Sequence, residues 1–222
     1  ISLHFLDLLE NYNHDNWSAY FNGNYFSTYK NQKFLLNSLS DNNIKDVSGW
    51  CADHYCVSAV SLYYLACSNN KTNKLKKLLN NFKALDLNSI QAYWWSDNIY
   101  TLYYLFLAYK KLNIISELQK IQDYVGSKIK YDFYEDYYGK NLFYTALALE
   151  IIFENPRYQN LSNKLAEFLI KNQFDDGSWL ESNSLCIPNP NDKRPTNKGY
   201  DIKNFGVGVR SHEFNRLFTS IS

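Results

Sequence analysis

The sequence is poor in the residues that interrupt helices. Its 222 residues include eight glycines and four prolines, so the turn clusters that bound short strands are few. Leucine, tyrosine, asparagine and lysine are abundant instead, and this composition favours helices joined by short polar loops. We therefore expect an all-α fold, and the length suits a single domain over residues 1–222.

Two further absences narrow the class of protein. The net charge is +1 and no basic block is present, so nothing predicts a nucleic acid or an anionic membrane surface as a partner. The longest apolar run, 99–109, is far shorter than the roughly 20 residues that cross a bilayer, and no transmembrane segment is expected.

Cysteines are also scarce. The four, Cys51, Cys56, Cys67 and Cys186, are too few and too unevenly spaced for a disulfide framework. They predict a reducing compartment and hence a cytoplasmic protein. The sequence begins without methionine, which leaves open that it is part of a larger toroid or a multidomain chain.

Loop-to-helix junctions recur at a constant spacing. Trp50 lies 44 residues before Trp94, and Asp53 lies 44 residues before Asp97, which in turn lies 44 residues before Asn141. A period of this length indicates a repeated helical hairpin. The two aspartates and the asparagine each precede an apolar run, where they would cap the helix that follows.

Each repeat contains two helices of different character. The first is apolar on almost every side, as in a helix that is packed all round, and such inner helices are predicted over 54–66, 98–109 and 142–153. The second has a single apolar stripe and is expected to face water on its other side. The alternation fits an open solenoid or a closed ring, and the strongly apolar inner layer favours the ring.

The stretch QFDDGSW closes the last of these hairpins. Gln173, Gly177 and Trp179 match the Q-x-x-x-G-x-W repeat of squalene and hopene cyclases. The chain thus resembles the terpenoid cyclase and protein prenyltransferase superfamily over about residues 45–222, with one strict copy of the motif. The resemblance implies an α/α toroid, a double-layered ring or arc of hairpins, in which the Gln and Trp side chains seal the turn. It also implies an isoprenoid substrate.

The catalytic signatures of that superfamily do not appear in the sequence. Neither the D-x-D-D run of its class II members nor the D-D-x-x-D run of its class I members is present. Cys51, Asp53, His54 and Cys56 are ligand-type residues, but they share one junction, whereas structural zinc takes four ligands from two such elements. No metal site is therefore assigned, and the one cofactor considered is Mg²⁺ accompanying a diphosphate.

Asp53 and Asp97 are the candidate catalytic acids. They precede equivalent inner helices, so a ring would bring both to one mouth of its central cavity. As N-caps they would be structural; beside an apolar cavity, desolvation would raise their pKa and make them general acids. Asp53 is preferred because His54 lies next to it.

Aromatic rings gather at the same ends of the predicted inner helices. Such rings form ordinary core, and they also stabilise the positive charge of a carbocation without acting as nucleophiles. Arg210 and Arg216 are candidate contacts for a diphosphate. The 187–205 loop is expected to be a surface excursion that can cover a site. The remaining candidate substrate-binding residues are Trp50, His54, Trp94, Trp95, Tyr100, Tyr104 and Tyr144.

Three functions are compatible with the sequence. The first is a terpenoid cyclase-like enzyme acting on a prenyl diphosphate or linear isoprenoid. The second is a catalytically silent toroid module or subunit that supports a partner domain or forms a homo-oligomer. The third is a sugar-cleaving α/α barrel, for which Asp53 and Asp97 would be the paired acids.

Overall fold

The computed structural model describes residues 19–39, 44–68, 72–129, 141–180 and 184–195, and within them the regular structure is helical. Arg210 and Arg216 lie outside these residues, as does the end of the predicted loop. Two short 3₁₀ turns, Leu87–Ser89 and Pro156–Tyr158, precede later elements. The helices are α1 (Gln32–Ser38), α2 (Tyr55–Cys67), α3 (Asn73–Lys83), α4 (Ile99–Lys111), α5 (Ile115–Lys128), α6 (Leu142–Ile152) and α7 (Gln159–Lys171).

The helices pair into hairpins arranged in two layers. The inner helices α2, α4 and α6 lie side by side in chain order, and each outer helix packs on the inner helix before it. The outer helix α5 also contacts α6 and so links two hairpins. The predicted inner and outer layers are confirmed. The stripes point inward: Leu75, Leu78 and Phe82 of α3, Ile121 and Val125 of α5, and Leu165 of α7 are buried.

Of the three predicted caps, Asn141 alone is the N-cap of its helix, α6, whereas Asp97 lies one residue before Asn98, the N-cap of α4. Asn141 Oδ1 accepts a hydrogen bond from the Tyr144 N–H at 3.0 Å. Asp97 Oδ1 accepts one from the Ile99 N–H, the first residue of α4, at 2.8 Å. The Asn141 carboxamide and the Asp97 carboxylate thus each accept a hydrogen bond from a backbone N–H at a helix start. These N–H groups have no partner within the helix.

The third predicted cap, Asp53, is wrong. The residue before α2 is His54, and no side chain caps this helix. Asp53 Oδ1 instead accepts a hydrogen bond from Asn22 Nδ2 at 2.8 Å. The 19–29 segment causes the difference, because Ser27 pairs with Asp53 in an antiparallel bridge and Phe26 O accepts the His54 N–H at 2.9 Å.

The turn after α7 has the contacts that the motif implied. Gln173 Nε2 donates to Gly177 O at 2.8 Å, and Trp179 Nε1 donates to Leu169 O, a carbonyl of the last helical turn, at 2.8 Å. Gly177 has φ +82°, a conformation that side chains rarely adopt. The Gln and Trp side chains therefore seal the turn, with Trp179 half-buried.

Residues 184–195, which we call the strap, cross the starts of the inner helices. At the first junction the N–H groups of Gly49 and Trp50 donate to Pro190 O at 2.7 and 3.1 Å. Trp50 Nε1 donates to Pro188 O at 2.8 Å. A Cβ on Gly49 would collide with the backbone of Asp192, so only glycine permits this approach.

The strap continues across the next two junctions. Cys186 N donates to Trp94 O, and Ser96 N donates to Ser184 O, each at 2.8 Å. Asn141 Nδ2 donates to Ser184 Oγ at 2.9 Å. The prediction of a surface excursion is therefore wrong for the described part of the loop, because its prolines complete the core; Ile187, Pro188, Pro190 and Pro195 are buried.

Candidate functional site

A cavity of about 460 Å³, the apolar pocket, lies between the 19–29 segment, α2 and the junction before α4. Leu185 of the strap closes one side. The pocket is open rather than filled core, and its wall consists mainly of rings and aliphatic side chains. The lining residues are Tyr20, Phe26, Ser27, Thr28, Tyr29, Cys56, Val57, Val60, Ser61, Tyr64, Trp94, Trp95, Tyr100 and Leu185.

Stacked rings hold one wall of the apolar pocket. Trp95 stacks on Tyr100 with ring centroids 3.9 Å apart and planes 17° from parallel. Phe143 lies beyond Trp95 at 5.5 Å, and Tyr104 lies beyond Tyr100 at 5.0 Å. Burial raises the pKa of Tyr100 well above its usual value, and the hydrogen bond to Tyr104 adds to the rise. This wall presents neutral π faces.

The structure places the predicted aromatic residues in two groups. Trp94, Trp95 and Tyr100 line the apolar pocket. Trp50, Tyr104 and Tyr144 do not line it. Trp50 is tied to the strap, and its ring centre is 6.1 Å from that of Trp94.

The hydroxyl of Tyr144 forms hydrogen bonds that hold the fold together. It donates to Ser184 O at 3.0 Å and accepts the Asp97 N–H at 3.2 Å. Ser96 Oγ lies 2.7 Å away. The hydroxyl thus joins the strap to the start of α4, and burial raises its pKa.

His54 forms a partition behind the pocket. Its Nε2 lies 3.0 Å from Gly49 O, and its Nδ1 lies 2.9 Å from Thr28 Oγ1, which also accepts the Trp94 indole N–H at 2.6 Å. A carbonyl can only accept, so Nε2 carries the proton and Nδ1 accepts from Thr28. Burial lowers the pKa of His54 to about 4. The ring is a neutral structural group, stacked on Tyr93 at 3.8 Å.

A second cavity, the polar cavity, lies on the other side of this partition. Its volume is about 500 Å³. Asp53 belongs to this cavity and not to the apolar pocket, and burial raises the carboxyl pKa while the Asn22 hydrogen bond partly opposes the rise. The lining residues are Asn24, Tyr25, Asp53, His54, Tyr55, Ser89, Gln91, Ala92, Tyr93, Lys193, Arg194 and Pro195.

Asp97 lines neither of these two cavities. The described residues around the apolar pocket include no carboxylate. Within the described ranges no three His, Cys, Asp or Glu side chains are grouped to hold a metal ion, and this covers the junction with Cys51, His54 and Cys56. All four cysteines are free thiols.

Sequence reasoning missed the 19–29 segment. It supplies five lining residues of the apolar pocket, from Phe26 to Tyr29 together with Tyr20. The segment has no helical period, and it precedes the first repeat. Its high aromatic content, YFNGNYFSTY, is the one signal that pointed to a packed role.

None of the helices that the structure describes has the length and apolar character needed to cross a bilayer. Comparison with models of protein families and with curated protein sequences finds no match.

Solved structures do show similarity. A variant of the type II terpene cyclase MstE from Scytonema, in complex with merosterolic acid A (product), is 19% identical with a TM-score of 0.73, covering 92% of this chain and 61% of that chain. The apo form of MstE gives 19% identity, a TM-score of 0.69, and coverage of 92% and 62%.

A protein from Actinoplanes is also similar, with 20% identity and a TM-score of 0.65, covering 80% of this chain and 54% of that chain. This chain thus spans less than two thirds of the length of these structures. At such identities the likeness is one of fold. The protein has the α/α-toroid fold that is found in type II terpene cyclases.

Proposed function

We propose that the protein is terpenoid cyclase-like and binds a linear isoprenoid in the apolar pocket. The observation that carries the proposal is the wall of Trp94, Trp95 and Tyr100 around an open cavity of about 460 Å³, a size typical of small-molecule sites. The similar fold adds support, since a variant of MstE has been solved in complex with geranylgeranyl dihydroxybenzoate (substrate).

The chemistry of the pocket suits a branched hydrocarbon chain. Burial of such a chain against apolar side chains lowers the free energy of the complex. The ring faces of Trp95 and Tyr100 carry negative π charge, which stabilises a carbocation. The hydroxyl of Tyr100 keeps its proton because of its raised pKa. It is therefore a weaker nucleophile toward the cation than a phenolate would be.

Asp53 and Asp97 are the proposed proton donors. Burial raises the pKa of Asp53, which is the direction that a general acid needs. Asp97 is held by the Ile99 N–H and is the second choice. Neither carboxyl lines the apolar pocket, and Asp53 lines the polar cavity beyond His54. Either role therefore requires that the substrate extend out of the apolar pocket to reach the carboxyl.

Binding is tested with farnesol, geranylgeraniol and their diphosphates, followed by tryptophan fluorescence. Quenching is expected, because Trp94 and Trp95 line the pocket. Val60→Phe, which fills the pocket, should weaken binding by at least about tenfold. Ile115→Phe is the matched control, because Ile115 is 52% exposed on α5. Equal affinity in the two variants, or no quenching by any of the four compounds, contradicts the proposal.

A preference for the diphosphates tests Arg210 and Arg216, with and without Mg²⁺. If these arginines contact a diphosphate, Arg210→Ala and Arg216→Ala should remove the preference and leave the alcohols unaffected. An unchanged preference in both variants rejects that role.

Turnover is tested by product analysis after incubation with each isoprenoid. Cyclised product that is lost in Asp53→Asn, and retained in Asp97→Asn, assigns the acid; the reverse result assigns Asp97. Binding without any product supports the second function, a silent module or subunit that holds an isoprenoid for a partner domain or within a homo-oligomer. The absence of a carboxylate among the described lining residues favours this alternative.

A further inference from the structure

The polar cavity has a composition that the isoprenoid proposal does not use. Lys193 and Arg194 stand side by side on the strap, and Asp53 is the one carboxylate among the lining residues. Asn24 and Gln91, which carry side-chain amides, also line the cavity. The lining therefore offers hydrogen-bond donors in excess of acceptors, with two permanent cations.

The side chains of the two cations form no ion pair with any described residue. Among the described residues the ion pairs join Lys110 to Glu154, Lys120 to Glu117 and Arg157 to Asp123, and neither Lys193 nor Arg194 takes part in one. Both side chains are exposed to solvent at the cavity. Two neighbouring cations repel each other, and an anion between them removes that repulsion.

The backbone that carries these cations is fixed. Tyr93 Oη donates to Asp192 O at 2.7 Å, and Arg194 N donates to Asp192 Oδ1 at 2.8 Å. On the other flank Pro195 is buried. The strap thus presents Lys193 and Arg194 from an anchored turn, which lowers the entropic cost of ligand binding.

We propose that the polar cavity is a separate binding site for a small polyvalent oxyanion of the phosphate class. Arg194 supplies a planar guanidinium that binds such oxygens in a bidentate manner, and Lys193 supplies a point charge. Amide donors from Asn24 and Gln91 complete the cradle. Asp53 stands among the lining residues as the one opposing charge and limits affinity. The site is independent of the apolar pocket, from which the His54 partition separates it.

The test is calorimetric titration of the protein with inorganic pyrophosphate, free of metal ions and at low ionic strength. Lys193→Ala/Arg194→Ala should weaken binding by at least about tenfold. The matched control is Lys76→Ala/Lys77→Ala, which removes two adjacent exposed lysines from α3. Equal losses in the two double variants would show that pyrophosphate responds to net charge alone and would overturn the site.

The Asp53 carboxylate allows a second test, in which the proposal predicts the direction of the change in affinity. Asp53→Asn should tighten pyrophosphate binding by about threefold or more, because a repulsive charge near the anion is removed. Asp175→Asn, at an exposed turn, is the control and should change affinity far less. Weaker binding in Asp53→Asn, or no binding to the wild-type protein up to millimolar pyrophosphate, rejects the proposal.

Citrate distinguishes the chemistry of the anion. A phosphate-class site should prefer pyrophosphate over citrate, and a preference for citrate would reassign the cavity to polycarboxylates and overturn the phosphate class. Val60→Phe should leave pyrophosphate binding unchanged. These results are separate from those for isoprenoids, so either proposal can fail alone.

Discussion

The apolar pocket and the polar cavity are built from adjacent residues of the same segments. Tyr25 lines the polar cavity and Phe26 the apolar pocket; Tyr93 and Trp94 divide in the same way. Successive side chains of an extended chain point to opposite sides. Two cavities of different chemistry therefore arise from one set of junctions, without separate elements for each.

The strap contributes to both cavities, but with different residues. Leu185 lies at the apolar pocket, and the 193–195 end lies at the polar cavity. Between the two cavities lies the partition of His54, Thr28 and Trp94. Its hydrogen bonds give its polar atoms partners in place of water. The two sites thus share a scaffold and differ in their lining residues. Substitutions can therefore be chosen that change both cavities, the partition alone or one cavity alone.

The largest expected effect is on both cavities together. Gly49→Ala would drive a Cβ into the backbone of Asp192, and a backbone cannot rotate away as a side chain can. We expect the free energy of unfolding to fall by about 3–5 kcal/mol. Denaturant titration measures the loss, and binding of geranylgeraniol and of pyrophosphate should weaken together because the strap is displaced.

Gly126→Ala is the control for Gly49→Ala. The added Cβ would meet the ring of Tyr158, a half-buried side chain that can swing outward. We expect a loss of about 1–2 kcal/mol and normal binding in both cavities. A larger loss for Gly126→Ala than for Gly49→Ala would contradict the role given to the strap.

The second prediction concerns the partition and pH. His54 has a pKa of about 4 when folded, against 6.5 when unfolded, so the unfolded chain takes up a proton first as the pH falls. Its contribution to stability is complete above pH 6.5 and is lost on descent toward pH 4. At about 1.4 kcal/mol per unit this amounts to about 3 kcal/mol.

His54→Gln tests this linkage. A glutamine amide does not titrate, and it retains a donor and an acceptor for the same neighbours. Unfolding by urea between pH 7 and pH 4 should show a steeper decline for the wild-type protein than for the variant. Since other titrating groups, including Asp53, are common to both proteins, parallel curves would exclude a buried neutral His54.

The third prediction concerns the hydrogen bonds that hold the partition. Thr28→Val keeps the shape but leaves the Trp94 indole N–H and His54 Nδ1 without their shared partner. We expect a loss of about 2 kcal/mol, the cost of unsatisfied buried polar groups. Thermal unfolding measures it.

Thr101→Val is the control, because Thr101 Oγ1 is buried with no hydrogen-bond partner among the described residues. Removing that hydroxyl should be neutral or stabilising. If Thr28→Val is as well tolerated as Thr101→Val, the partition does not depend on the hydroxyl.

The smallest effect sharpens the contrast between the cavities. Ser61 lines the apolar pocket, and Ser61→Ala removes a hydroxyl that an isoprenoid would desolvate. We expect about twofold to fivefold tighter binding of geranylgeraniol, within the usual cost of burying a hydroxyl. Pyrophosphate affinity should not change, and a change in it would show that the two cavities are not independent.

A small part of the lining of the apolar pocket could be anticipated from the sequence. The sequence placed Trp94, Trp95 and Tyr100 at the start of one predicted inner helix, and these three residues line the apolar pocket. What alignment could not give is the direction of each ring. Trp50 is equivalent to Trp94 in the repeat, but the strap binds the indole of Trp50, whereas the indole of Trp94 donates to Thr28.

The sequence by itself determined the hairpins and their two layers, because helical periodicity acts over a few residues, and the resemblance to the Q-x-x-x-G-x-W repeat implied the sealed turn at Gln173 and Trp179. Only the tertiary structure decided that Asp53 pairs with Asn22 instead of capping α2, and that the proline-containing segment becomes a buried strap. Those outcomes depend on contacts between distant segments, such as Trp50 with Pro188, 138 residues apart. Local patterns carry no information about such contacts, and these contacts place the strap and the 19–29 segment around the two cavities.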